Sequence, residues 1–397
     1  MSDNSSSSKR VSNIDENGTL NVVDLFSGVG GLSLGAARAG FAVYGAVDID
    51  PKANEAHKIN FPNTVHLETD ISELTGLALR RALHLNGKSI AGVIGGPPCQ
   101  GFSPIGRRDK DDVRNRSFVD FFRIVSELLP KFFLVENVPG IMQDKFKGLR
   151  EEAFSLIDAK YVILDPLRLS ANDYGAATAR TRVFFFGYLS DAVDPLTSDS
   201  FAAPRNAEPV RVKDALHGLP TKIDPGWQKE EQGWQAVGAY PDGSFGRRLR
   251  EHIPAGVGDP IALWRLSLSS EVSGCLGTAH TEAVAKRYAE TECGSYDEVS
   301  KAYRLDPDGF CPTLRAGTGP NQGSFQAVRP IHPTEARVIT PREAARLQGF
   351  PDWFQFSPTK WHSFRQIGNS VSPILAEHIF GVISGSIQTE RNGQNHE

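Results

Sequence analysis

From Leu20 to about residue 187, short apolar runs alternate with stretches of helical periodicity, and this alternation restricts the possible folds more than any other feature of the chain. Strands separated by helices predict an α/β domain, doubly wound around a largely parallel sheet. The predicted strands are Asn21 to Phe26, Ala42 to Val47, Ile90 to Ile94, Phe132 to Val135 and Val183 to Tyr188. Residues 1–19, rich in Ser, Asn and Asp, are expected to form a disordered tail ahead of a domain at 20–188. Residues 189–330, opening with 'DPLTSDSFAAPRNAEP', are irregular in periodicity and predict a second, smaller domain. Periodicity returns in 331–388. There 'TPREAARLQGFP' reads as a helix with Thr340 as N-cap, Pro341 at its first position, Glu343 completing a capping box and Gly349 past its end. Residues 389–397 read as a polar tail.

Composition excludes several classes. The 397 residues carry 43 Lys and Arg against 47 Asp and Glu, so no overall basicity announces a nucleic-acid ligand. With 40% hydrophobic and 23% charged residues the chain matches ordinary globular proteins and neither collagen-like nor disordered ones. Cys99, Cys275, Cys293 and Cys311 are too dispersed for a disulfide framework or a zinc site, so a reducing compartment and no metal are expected. No apolar run approaches the roughly 18 residues of a membrane span, and the polar N-terminus has no signal-peptide character; the expected location is the cytoplasm.

The first strand runs into 'DLFSGVGGLSLG', placing Gly28, Gly30 and Gly31 in the turn before a helix of small and apolar residues. Such a turn lets the backbone approach a ligand closely. Twenty residues after Gly28, Asp48 ends the second strand, where a carboxylate can accept hydrogen bonds from ribose hydroxyls. The pattern fits an adenosine-containing cofactor, and alone it leaves NAD, FAD, S-adenosylmethionine and a purely structural corner open. Asp70, in 'HLETDI', falls at the end of a third strand on the same edge; taken singly it reads as a solvated loop carboxylate.

Pro97 and Pro98 cannot continue a ladder or an interior helical turn, so Cys99 is expected in a stiff loop at the carboxyl edge of the sheet. A lone Cys is more often a small buried hydrophobe, and it is the neighbours that change the reading. Glu136 arrives at the same edge after four apolar residues that would strip it of water, and Arg180 and Arg182, two apart, point to one face able to hold a planar or anionic group. Individually these are a salt-bridged strand-end acid and a solvated edge. Together a thiol, a carboxyl and a guanidinium suit methylation of cytosine C5, a poor nucleophile. A thiolate adding at C6 makes C5 enamine-like, a carboxyl at N3 offsets the charge developing on the ring, and an Arg can orient the base at O2 and restrain the Glu.

The ordered set 'DLFSGVGG', 'GGPPCQGFS', 'ENV', 'RTR', 'TPREAARLQGFP' and 'QIGNSVSP' resembles the cytosine-5 DNA methyltransferases, chiefly the bacterial modification enzymes, over about Val22 to His378. The resemblance implies a Rossmann-like S-adenosylmethionine domain, a small target-recognition domain and a flipped cytosine in double-stranded DNA. It implies that Phe26 packs on the adenine, Asp48 binds the ribose, Ile49 flanks the adenine and Asp70 meets its amino group, with Gly28, Gly30, Gly31 and Pro98 also on the cofactor side. Cys99 would be the nucleophile, Glu136 the N3 partner, and Arg180 with Arg182 the base-orienting pair. Asn369 would bring the C-terminal segment back beside the first Gly-rich turn. Ala177 and Thr178 replace the family's usual Pro-Gln before the arginines, which puts one supporting hydrogen bond in question.

For DNA, the segment after Cys99 offers Arg107, Arg108, Lys110, Arg114 and Arg116 against three acids, and the second domain offers Arg247, Arg248 and Arg250. Trp227, Trp234 and Trp264 are expected in a core. Residues 45 to 73 carry six acids and two bases, enough to account for the whole charge of −4, so the cofactor side takes up the acidic surplus and the remainder is neutral. The expected protein is a monomeric, nucleoid-associated enzyme, with a separately encoded restriction endonuclease as a possible companion. Rival readings are a cytosine-5 tRNA methyltransferase, a catalytically silent DNA-binding relative, and a nicotinamide oxidoreductase.

Overall fold

The computed structural model describes residues 19–85, 89–98, 116–226, 232–316 and 329–388. Its strands in chain order are β1 (Leu20–Leu25), β2 (Phe41–Asp48), β3 (Val65–Glu68), β4 (Gly92–Gly95), β5 (Phe132–Asn137), β6 (Tyr161–Ile163), β7 (Leu167–Ser170), β8 (Thr178–Ala179), β9 (Thr181–Leu189), β10 (Gln235–Ala236), β11 (Glu271–Val272) and β12 (Cys311–Pro312). The central sheet has the order β3-β2-β1-β4-β5-β9-β6, with β7 also pairing with β9. Strands β1 to β5 are mutually parallel; β9 runs antiparallel to β5, β6 and β7. All five predicted strands are present, with ends shifted by a residue or two. Strands β6 and β7 are short and half exposed, so they lack the apolar run that marks the interior strands.

Period-two alternation sorts the sheet into two faces. Val22, Ile94, Leu134 and Phe184 pack on one side, together with the helices Gly31–Arg38 and Pro373–Ser386. Val23, Val93, Phe133 and Phe185 pack on the other, against Phe118, Phe121, Phe122 and Val125 of the helix Arg116–Leu128. Interior strands buried on both sides need apolar residues at nearly every position, which is why they are legible in the sequence.

The helix predicted from 'TPREAARLQGFP' spans Pro341–Gln348, with Thr340 and Glu343 forming the capping box and Gly349 in the left-handed conformation at φ 93°. It is buried along its whole length. Within 189–330, Val193, Phe201, Val212, Phe245 and Leu249 join the core on the first face of the sheet. Two satellite clusters form around Leu219, Val237, Val272 and Cys275, and around Tyr288, Ala302 and Ile331. Trp264 corrects the expectation of a core tryptophan: it is 58% exposed on the helix Pro260–Ser269, in line with exposed Ile261 and Leu268. Trp234 is half-buried and carries the Arg265 guanidinium 4.6 Å above its ring, while Trp227 lies outside the described residues.

Candidate active site

The sheet order reverses between β1 and β4, the point in a doubly wound sheet where the carboxyl ends of the strands open a crevice. The turn after β1 carries three residues in left-handed backbone: Phe26 at φ 59°, Gly28 at φ 56° and Gly30 at φ 100°. For Phe26 this is strained geometry, of order 1–2 kcal/mol, held by the surrounding structure. A side chain on Gly28 would enter open space, whereas one on Gly30 would strike Phe61 at 2.6 Å and His57 at 3.0 Å. One side of the turn is thus sealed and the other is open. Ser27 contributes a buried hydroxyl without a partner among the described residues.

Asp48 faces this turn. Its Oδ2 accepts the Gly28 N–H and its Oδ1 the Asp50 N–H, both at 2.8 Å, while Asn54 donates to its backbone carbonyl. Burial pushes the Asp48 carboxyl up, and the two N–H donors oppose that shift. Ile49 is 63% exposed, a large apolar side chain presented to an open face beside the turn. Asp70 is exposed, two residues beyond the end of β3 at Glu68; it caps the helical turn Ile71–Glu73 and accepts from the Ser72 N–H at 2.9 Å and the Ser72 hydroxyl at 2.8 Å. Arg123, which sequence reasoning missed, clamps that turn by donating to the carbonyls of Ile71 and Leu74 at 2.9 and 2.8 Å.

Gly31 lies against the Val371 carbonyl, so close that a Cβ would come within 2.4 Å of it, and Gly35 is equally tight against Ala376. The C-terminal segment therefore returns to the Gly-rich turn, with Asn369 exposed at the end of the helix Lys360–Asn369. From the same helix Gln366 donates to the Lys52 carbonyl at 2.9 Å and Arg365 lies 3.7 Å from Asp50.

On the other flank of the crevice, the described chain after β4 ends at half-buried Pro98. Cys99, Arg107, Arg108 and Arg114 lie outside the described residues. Gly96 sits against Glu136, whose Oε2 would be 3.3 Å from a Cβ there, and Asn137 donates to the Pro97 carbonyl at 3.4 Å. Glu136 Oε1 is 2.6 Å from Arg182 Nε, although the N–H is not aligned on the oxygen. Because β9 is antiparallel, its amino-terminal end reaches the edge formed by the carboxyl ends of β1 to β5, and this delivers Arg182 to Glu136. Arg180 is buried and donates to the Leu314 carbonyl at 3.3 Å.

The Ala177-Thr178 departure finds a structural answer. Ala177 accepts the Cys311 N–H at 2.8 Å through its carbonyl, and the Thr178 hydroxyl donates to the Cys311 carbonyl at 3.2 Å, joining β8 to β12. Of the three arginines of the helix Gly243–Arg250, Arg247 and Arg250 are exposed, Arg250 pairing with Glu251 at 3.0 Å. Arg248 is half-buried and pairs with Glu377 at 3.2 Å. Among the described residues no helix is long and apolar enough to cross a membrane, and no group of three His, Cys, Asp or Glu side chains is placed to hold a metal ion.

A parallel-rich sheet with a Gly-rich turn and an acid on one flank of the switch point, and a carboxyl–guanidinium pair on the other, defines a methyltransferase of the Rossmann-like class. The model of the C-5 cytosine-specific DNA methylases matches residues 20–385, and the chain belongs to that family. Its relatives include the Type II methyltransferase M.XorII of Xanthomonas oryzae pv. oryzae, 39% identical over 377 residues that cover 92% of this chain and 85% of that protein. The Type II methyltransferase M.DdeI of Desulfomicrobium norvegicum is 32% identical, covering 92% of this chain and 88% of its own. Among solved structures, one described as a DNA modification methyltransferase encoded within an Escherichia coli prophage is 51% identical, with a TM-score of 0.84 over 93% of this chain and 99% of that one. The protein is a C-5 cytosine-specific DNA methyltransferase.

Proposed function

We propose that the methyl donor is S-adenosylmethionine, that the substrate is a cytosine flipped out of a specific double-stranded DNA sequence, and that the enzyme is the modification component of a Type II restriction-modification system. The observation that carries this reading is the convergence of Glu136, Arg182 and Gly96 on the crevice edge that Asp48 and the Gly-rich turn share. The donor supplies an electrophilic methyl group on a sulfonium. The turn fits such a group: its open side at Gly28, its buried Ser27 hydroxyl, unpartnered among the described residues, and the remaining lone pairs of Asp48 suit an adenosine moiety. Phe26, Gly30, Gly31, Ile49, Asp70, Pro98 and Asn369 complete the proposed cofactor side.

In the proposed reaction the Cys99 thiolate adds to C6 while Glu136 hydrogen-bonds N3, so the electron pair released by C6 addition becomes available at C5. Arg182 restrains Glu136 and Arg180 orients the base. After methyl transfer, C5 loses its proton and the thiolate leaves C6, restoring the ring. Residues 20–188 and 331–388 form the catalytic unit and 189–330 read DNA, with Arg247, Arg248 and Arg250 on that side and Arg107, Arg108 and Arg114 gripping phosphates beside Cys99. Extruding the base costs a few kcal/mol of unstacking, which these contacts offset.

The test is transfer of tritium from labelled S-adenosylmethionine to duplex DNA, with tRNA assayed in parallel, and bisulfite sequencing of DNA from a host expressing the protein. Incorporation into duplex DNA at one recurrent sequence is expected, and Cys99→Ala abolishes it. Turnover retained by Cys99→Ala removes Cys99 from the mechanism; incorporation into tRNA alone overturns the substrate.

A further inference from the structure

Behind the Gly-rich turn, a polar chain runs through the first core. Asp24, inside β1 and fully buried, accepts the Ser33 hydroxyl at Oδ2 at 2.6 Å, while its buried Oδ1 has no side-chain partner among the described residues. Ser33 Oγ lies 3.1 Å from His57 Nε2, and His57 Nδ1 lies 2.8 Å from His66 Nε2. Asp24, Ser33 and His57 are buried; His66, on edge strand β3, is half-buried and reaches solvent. Three consecutive hydrogen bonds thus connect a core carboxyl to the sheet edge, and the His57 ring is one of the two groups packed beneath Gly30.

We propose that Asp24, Ser33, His57 and His66 form a one-proton relay between solvent and the carboxyl group behind the turn, and that the charge of Asp24 sets the affinity of this turn for S-adenosylmethionine. The second clause rests on the cofactor reading above. With Asp24 ionised, Ser33 donates to Oδ2, His57 Nε2–H donates to Ser33 Oγ and His66 Nε2–H donates to His57 Nδ1. A proton arriving at His66 Nδ1 reverses all three bonds. His66 Nε2 passes its proton to His57 Nδ1, His57 Nε2 passes its own to Ser33 Oγ, and Ser33 gives its hydroxyl proton to Asp24. One proton has entered, one carboxylate has been neutralised, and no histidine has kept a charge.

The surroundings favour that resting place. Burial pushes the Asp24 carboxyl up to about 7, assisted by neighbouring Asp48 and opposed by the Ser33 hydrogen bond. Burial holds His57 well below its ordinary value, and holds His66 down to about 4 with help from Lys58, so the proton settles on Asp24 and not on either imidazole. Facing Asp48, in turn, are Asp50 and Arg365. The sulfonium charge attracts an ionised carboxylate behind the turn, so cofactor binding and loss of the Asp24 proton favour each other.

The test is isothermal titration of the full-length protein with S-adenosylmethionine and with S-adenosylhomocysteine, which lacks the sulfonium charge, between pH 6 and pH 8.5. Wild type is expected to bind S-adenosylmethionine several-fold more weakly at the acid end, releasing a fraction of a proton on binding near pH 7; S-adenosylhomocysteine changes far less, and Asp24→Asn flattens the profile. Failure to bind either ligand at any pH overturns the cofactor reading. Tight but pH-independent binding, or an unchanged profile in Asp24→Asn, overturns the role of Asp24 alone. The relay is read by infrared spectroscopy of the protonated Asp24 carboxyl during hydrogen–deuterium exchange. At least tenfold slower exchange is expected in His57→Phe, with His66→Gln, at the half-buried edge, as the milder variant should His57→Phe not fold. Exchange at the wild-type rate in the folded variants overturns the relay.

Discussion

Glu136 and Arg182 meet across the antiparallel seam between β5 and β9, Oε1 to Nε at 2.6 Å, with each side chain about nine-tenths buried. The pair is close but misaligned, so the carboxyl is restrained without being consumed by a well-formed bond. A Glu fixed in this way is suited to engage a base edge. Glu136→Gln preserves shape and removes the acid. It is expected to lower kcat by about 100-fold or more, the usual scale of acid–base assistance, while the cofactor Kd stays within about threefold. Single-turnover methylation together with cofactor titration checks this, and equal losses in both would assign Glu136 a structural role.

Gly28 and Gly30 both have positive φ but differ in what surrounds them. Gly28→Ala meets no atom within 4 Å and bears only backbone strain, about 1 kcal/mol. Gly30→Ala adds a Cβ at 2.6 Å from Phe61 and 3.0 Å from His57, and overpacking of this kind costs roughly 1–3 kcal/mol on top of the strain. Thermal unfolding should therefore rank Gly30→Ala well below Gly28→Ala. If S-adenosylmethionine lies on the open side, Gly28→Ala weakens its binding despite the smaller loss of stability.

The buried carboxyl and the two histidines give stability opposite dependences on pH. Asp24 rises from 3.8 unfolded to about 7 folded, so between these values the folded state binds more protons and stability falls as pH rises. The rise from 3.8 to about 7 corresponds to a destabilisation of at most about 4 kcal/mol, in place above pH 7 and absent below pH 4. His57 and His66 are depressed below 6.5, so the unfolded state binds more protons there and stability falls as pH drops from 6.5 toward 4. Relative to wild type, Asp24→Asn should gain stability progressively from pH 5 to pH 8 in urea titrations. A constant difference across that range would mean that Asp24 titrates normally.

Much of this site is legible in the sequence because its parts follow strand ends. The interior strands announce themselves by largely apolar runs, and Asp48, Glu136 and the Gly-rich turn lie where those runs end. The capped helix Pro341–Gln348 is legible for a different reason: Thr340, Glu343 and Gly349 are each determined by local backbone bonds. What escapes is long-range. The link from Thr178 to Cys311 spans 133 residues with no periodicity to suggest it, and Arg123 acts on a turn 52 positions earlier in the chain. Strand direction escapes too, since the run 'RVFFFGYL' reads identically in either orientation. Asp24 left a usable signal, a charge among 'NVVDLF' in a strand that is otherwise apolar.

A buried ion pair ties segments that follow β9 to the C-terminal helices. Arg346, 1% exposed, holds Asp352 through two bonds at 2.8 and 2.6 Å, and also donates to the His217 carbonyl at 2.6 Å. The Tyr240 hydroxyl donates to Asp352 at 2.7 Å, while Arg342 bonds the carbonyls of Ser273, Pro351 and Phe354. Desolvation opposes this cluster, but Arg346 still holds the Asp352 carboxyl below its ordinary value. Asp352→Asn leaves a buried guanidinium without its counter-charge, a loss of about 3–5 kcal/mol, whereas replacing Arg346 and Asp352 together by Met and Leu should recover part of it. Because the same side chains hold residues 217, 240 and 273, Asp352→Asn should raise hydrogen exchange in those segments before it affects β1 to β5. Uniform exchange across the sheet and these segments would show that Arg346 and Asp352 stabilise the whole fold and do not specifically anchor these segments.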